Sequence, residues 1–149
     1  MNSVAELSNQ MRRECACLNL RKAVRVLTQA YDEKLRPVGV RSTQLPLLVT
    51  LGAEGTMTLS RLAESVVMDQ TTVSRNLKPL KEKGLIEIRP GQDRRVREIS
   101  LTKAGENVIR DSKPLWDEAQ AKVSAELGIE NLHLLIALSA DVVSSVEAS

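Results

Sequence analysis

A chain of 149 residues has room for one domain with appended helices and none for a second large catalytic domain. Apolar residues make up 42% and charged residues 27%, which excludes the composition of disordered chains, and one Trp, one Tyr and no Phe argue against base stacking on aromatic platforms. The net charge of +2 is silent about a nucleic-acid partner until it is divided along the chain.

From Val4 to Leu35 the residues Leu7, Met11, Cys15, Leu18, Val26, Leu27, Ala30 and Leu35 recur at helical spacing, which predicts one long amphipathic helix stopped by Pro37 and Gly39. No apolar run follows a basic start here, and no stretch of about 18 apolar residues occurs anywhere, so a signal peptide and a membrane span are not expected and the expected location is the cytoplasm. Ser42 is placed to cap a second helix carrying Leu45, Leu48 and Leu51, with Pro46 near its first turn and Glu54-Gly55 at its end. Thr58 caps a third helix that turns Leu59, Leu62, Ala63 and Val66 inward, and Asp69 caps a fourth running toward Gly84. Leu85 to Arg89 and Val96 to Leu101 alternate around Pro90-Gly91 and read as a hairpin. From Thr102 the helical period returns through Val108, Leu115, Ala119, Val123 and Leu127; after Gly128 a last helix carries Leu132, Leu135, Ile136, Val142 and Val146.

The order is mainly α with a small β-hairpin: a winged helix-turn-helix flanked by long terminal helices. The whole span 1–149 reads as a single domain, with dimerisation helices at 1–36 and 104–149 and a DNA-binding core at 40–103. A core this small leaves the terminal apolar stripes uncovered, so a two-fold homodimer is expected.

Charge sharpens this division. Residues 1–35 hold 6 cations and 4 anions, 36–103 hold 12 and 7, and 104–149 hold 3 and 8. A basic centre is thus masked by an acidic tail, a field suited to duplex phosphates. On the fourth helix Val73, Leu77 and Leu80 must face the core, which turns Thr71, Ser74, Arg75 and Lys78 outward with Thr72 at the edge. Hydroxyls near a helix N-terminus and cations further along suit the major groove, where Arg bonds guanine bidentately and Thr or Ser reaches several bases. Pro79 predicts a bend or an end after Lys78. In the hairpin turn, Arg94 and Arg95 suit a narrow minor groove, and Asp93 there is expected to orient an Arg.

The stretches Thr58-Leu-Ser-Arg-Leu-Ala-Glu, Thr71-Thr-Val-Ser-Arg, Leu80-Lys-Glu-Lys-Gly-Leu-Ile and Asp93-Arg-Arg-Val-Arg-Glu-Ile-Ser-Leu-Thr-Lys-Ala-Gly resemble the MarR (multiple antibiotic resistance regulator) family, over about Leu18 to Val123. The resemblance implies a homodimer built from the terminal helices that binds a pseudo-palindromic operator in double-stranded DNA, usually as a repressor released by a small ligand or by oxidation. It also implies that Arg95 of the Asp93-x-Arg95 wing motif enters the minor groove, with Arg94 at the variable position; Pro79 departs from the commonest recognition-helix pattern.

Two switches are open. Cys17, with Cys15 beside it, resembles the reactive cysteine of the family's organic-hydroperoxide sensors by its spacing to Gln44; Tyr31 resembles one of the tyrosines that bond it, and Arg21 replaces another. The alternative is a pair of small buried thiols. A direct Cys15–Cys17 bridge is not expected if both lie in one helix, because i and i+2 point to different sides. The rival switch is an organic effector in a crevice between the first, second and fifth predicted helices, where Arg21, Arg25 and Arg41 supply cations. His133 receives no role, and Trp116 is expected to pack against the dimer partner. One His, no Gly-rich phosphate loop and no metal-ligand cluster argue against an enzyme, a metal or a cofactor. A winged-helix protein-interaction module without DNA binding is the remaining alternative.

Overall fold

The computed structural model describes residues 3–146, so the ends of the span 1–149 and the side chain of Val146 lie outside the described residues. The elements in order are α1 (Val4–Glu14), α2 (Ala16–Leu35), a 3-10 turn (Arg36–Val38), α3 (Leu45–Glu54), β1 (Met57–Thr58), α4 (Leu59–Ser65), α5 (Gln70–Glu82), β2 (Ile86–Pro90), β3 (Arg97–Leu101), α6 (Lys103–Leu127) and α7 (Ile129–Val146). This is the winged helix-turn-helix order, and α6 and α7 meet at 108° around Gly128. Among the described residues no single helix is long and apolar enough to cross a membrane.

The first predicted helix is two. Cys15 is extended (φ −72, ψ 109), ending α1 and capping α2 through its sulfur, which accepts from the Leu18 N–H at 3.4 Å. Asn19 supports the break from α2: its amide lies 2.9 Å from the Cys15 carbonyl and 3.2 Å from that of Arg13. Side-chain bonds of this kind offer the backbone an alternative to continuous helix, and apolar periodicity does not register them. At the start of α1, Ser3 and Glu6 form a reciprocal capping box.

The second start is also displaced. Ser42 does not cap α3: its N–H donates to Asp32 Oδ1 at 2.6 Å, which ties the loop back to α2, and Gln44 occupies the cap position. Gln44 makes no side-chain cap bond, because its Oε1 accepts from the Arg41 N–H at 3.1 Å. Pro46 falls in the first turn as expected. Thr58, Asp69 and Thr102 cap α4, α5 and α6 with their side-chain oxygens.

The hairpin gains a third strand that alternation could not reveal in two residues: β1 pairs antiparallel with β3, in the sheet order β1-β3-β2. Ile99 on the central strand stands opposite Met57 and Ile88 and is fully buried. The core joins Leu35 of α2, Leu47, Leu48 and Leu51 of α3, Leu62 of α4 and Val73, Leu77 and Leu80 of α5 to this sheet. Leu59 and Val66 are only partly buried against it.

Candidate nucleic-acid interface

Three buried residues fix how α5 is presented. With Val73, Leu77 and Leu80 against the core, a rotation of about 100° per residue brings Thr71, Arg75, Lys78 and Glu82 onto one outward line, with Ser74 beside it. All five are exposed, and the side chains of Thr71, Ser74, Arg75 and Lys78 have no partner among the described residues. The helix does not end at Pro79 but runs to Glu82; so close to the C-terminus, the proline removes only the bond to the Arg75 carbonyl.

Thr72 has a different task. Its N–H and its hydroxyl donate to the two carboxylate oxygens of Asp69 at 2.8 and 2.6 Å, and these bonds hold the Asp69 carboxyl below the usual carboxylate range. The proton of the Thr72 hydroxyl is therefore committed to the helix cap, leaving only its lone pairs for a base or phosphate donor. The turn before this cap carries Val67 at φ 54, a left-handed conformation disfavoured for a β-branched residue.

At the wing, Gly91 N–H donates to the Val96 carbonyl at 2.8 Å and closes the tip. Asp93 Oδ1 accepts from the Arg95 backbone N–H at 3.0 Å and from Arg95 Nε at 3.3 Å. Asp93 thus orients Arg95, whose side chain remains 92% exposed. Arg94 points into solvent without a partner among the described residues. Other cations of the centre are already engaged: Arg61 pairs with Glu54, Arg89 with Glu87, and the Lys83 ammonium with the Gly39 carbonyl. On the helix and the wing, Arg75, Lys78, Lys81, Arg94 and Arg97 are exposed without a side-chain partner among the described residues, beside the oriented Arg95.

The candidate switch residues are dispersed within the protomer. Cys15 and Cys17 are both exposed, which removes the buried-thiol reading for the single chain. The break at Cys15 also removes the premise that both lie in one helix. Arg21 Nε donates to Cys17 Sγ at 3.4 Å, a contact that raises the guanidinium's pKa. Tyr31 lies about 21 Å further along α2 at 1.5 Å per residue, where it donates to Gln120 of α6 instead of Cys17, and burial raises its phenol pKa. Arg41 lines a 580 Å³ cleft with Asp32, Glu33 and Arg36, but neither Arg21 nor Arg25 lines it. This cleft therefore holds one of the three arginines expected in the effector crevice. Trp116 is partly exposed under the Lys113 ammonium, 5.3 Å from the ring centre, and His133 is exposed.

A family model described as the MarR family matches residues 40–96, from the loop before α3 to the wing. The chain is 34% identical to a Mycobacterium tuberculosis transcriptional regulator, MosR, solved in complex with DNA, over 87% of this chain and 98% of that one, with a TM-score of 0.73. A second MosR structure gives 33% identity and a TM-score of 0.80, over 93% of this chain and 99% of that one. An uncharacterized HTH-type transcriptional regulator of Bacillus subtilis, YwoH, is 31% identical over 87 residues, 58% of this chain and 64% of that protein's length. An Escherichia coli MarR variant bound to operator DNA shares the fold, with a TM-score of 0.78 at 18% identity over 95% of this chain and 99% of that one.

Proposed function

The chain belongs to the MarR family of transcriptional regulators, and from that premise we propose that it is a homodimeric repressor that binds a pseudo-palindromic operator in duplex DNA. The observation that carries this reading is the pairing of an unengaged outward line on α5 with Arg95 held by Asp93 at an exposed wing tip. Thr71, Ser74, Arg75 and Lys78 enter the major groove, Thr72 supports them as a cap residue, and Arg95, with Arg94 beside it, enters the adjacent minor groove. The DNA complex of a relative 34% identical to this chain supports that reading over a protein-interaction module. The dimer is built by α1, α2, α6 and α7, whose exposed Leu7, Met11, Leu134 and Leu138 need a second copy to cover them.

Duplex DNA from upstream of the protein's own coding region tests the proposal in a gel shift. A salt-sensitive complex that weakens in Arg95→Ala is expected; no complex, or no weakening, refutes it.

Release by thiol oxidation is favoured over an arginine-lined effector crevice, because Cys17 is exposed and bonded to Arg21 while the cleft at Arg41 includes neither Arg21 nor Arg25. The Cys17 thiolate attacks the distal oxygen of an organic hydroperoxide, the O–O bond breaks, and the products after proton uptake are a sulfenic acid and an alcohol. Hydroperoxide is expected to abolish operator binding by the wild type and spare Cys17→Ser; equal sensitivity of the two refutes the thiol switch.

A further inference from the structure

The segment leaving the recognition helix is held from two sides. Lys83, the C-cap of α5, donates its ammonium to the carbonyl of Gly39, in the turn that follows α2. Gly39 sits at φ +71, a conformation that favours glycine, and the same turn is pinned to α2 by the Ser42–Asp32 bond. On the other side Thr102, the cap of α6, donates its hydroxyl to the Gly84 carbonyl at 2.6 Å and its N–H to the Leu85 carbonyl at 3.1 Å. Gly105 of α6 packs onto that same carbonyl so closely that a Cβ would stand 2.1 Å from it.

Residues 83–85 therefore join the reading helix to the turn after α2 and to the start of α6. The two attachments differ in kind. The one to α6 is a close backbone contact at buried Gly105, whereas the one to the end of α2 is a single ammonium on an exposed side chain. Lys83 follows Glu82, the last residue of the outward line, and its charge is turned inward against a carbonyl, so it is not among the cations presented to phosphate.

We propose that Lys83 is a positioning residue for DNA recognition: its bond to Gly39 sets the angle of α5 against α2, and with it the separation of the two recognition helices in the dimer. This rests on the reading of the protein as a dimeric operator-binding regulator. Half-site spacing mirrors the distance between recognition helices in a two-fold dimer, so a fixed angle makes the dimer intolerant of altered spacing.

The experiment first selects the wild-type site from a random duplex library. The affinities of the wild type, Lys83→Met and Lys83→Arg are then measured across a salt series, on that duplex and on versions with one base pair added or removed at the centre. Lys83→Met is expected to lose about five- to tenfold on the selected duplex and little on the altered ones, with an unchanged salt slope. Lys83→Arg, which keeps a donor, restores the discrimination, and thermal melts show both variants folded. Unchanged affinities would overturn the proposal. So would a uniform loss on all duplexes with a log–log salt slope shallower by about 0.9, the signature of a lost phosphate contact. A wild type that selects no duplex sinks the operator-binding reading and this proposal with it, whereas a wild type that selects a site beside an unresponsive Lys83→Met removes only the role of Lys83.

Discussion

The reading core and the scaffold helices treat apolar surface in opposite ways. Within α3, α4, α5 and the sheet, Leu47, Leu48, Leu62, Val73, Leu80 and Ile99 are completely buried by the chain itself. Among the described side chains of α7 only Leu132 is buried, while Leu134, Ile136 and Leu138 are each more than half exposed and Val142 and Val143 nearly so. These exposed residues do not share one face: at 100° per residue Ile136 and Val143 lie opposite Leu134. A helix that is apolar nearly all round belongs in an interior. One region is thus complete as a single chain and presents polar and charged groups, whereas the other is incomplete and presents apolar ones. In the proposed homodimer, recognition chemistry is a property of the protomer, and the correct spacing of two such units is a property of the assembly.

Substitutions on the two sides separate these properties. The largest effect on stability is expected from Leu48→Ala, which opens a cavity in the covered core and costs about 2–5 kcal/mol in urea unfolding; a loss below 1 kcal/mol would show that the core is less complete than its burial implies. Leu134→Asp together with Leu138→Asp on α7 is expected to leave the core folded, turn the dimer into monomers by sedimentation, and weaken operator binding by roughly a hundredfold through loss of the second half-site. A dimer that persists would place the interface elsewhere. Arg95→Ala acts on the reading side alone: the dimer stays intact and affinity in fluorescence anisotropy falls by about tenfold. The smallest effect is a gain. Val67→Asn relieves a β-branched residue at φ 54 and is expected to stabilise the protein by up to about 1 kcal/mol; a lower melting temperature would mean that the valine side chain contributes packing that outweighs its backbone strain.

Caps and periodicity made most of the elements legible in the sequence. Thr58, Asp69, Thr102 and Gly128 mark boundaries through short-range bonds that depend on neighbours within a few residues, and the spacing of Val73, Leu77 and Leu80 was enough to orient α5. Two starts were misread for one reason. At Cys15 and Ser42 the deciding bonds come from residues four or ten positions away, Asn19 and Asp32, which apolar periodicity does not weigh. For Thr72 the sequence left open a choice between groove and cap, and the Asp69 carboxylate three residues earlier takes the hydroxyl proton. That choice is visible in retrospect as Asp-x-x-Thr at a helix start.

The outward chemistry of α5 and of the wing follows from residues close together in the chain, because helical rotation and a tight turn are local constraints. Lys83 on Gly39, Tyr31 on Gln120 and β1 on β3 link segments far apart in sequence. Such contacts depend on how whole helices pack, since a side chain's partner across the fold is set by the summed burial of many others. The outward residues proposed to face DNA could therefore be named from the sequence, while the contacts that tie their helix to distant segments appear only when the helices are assembled.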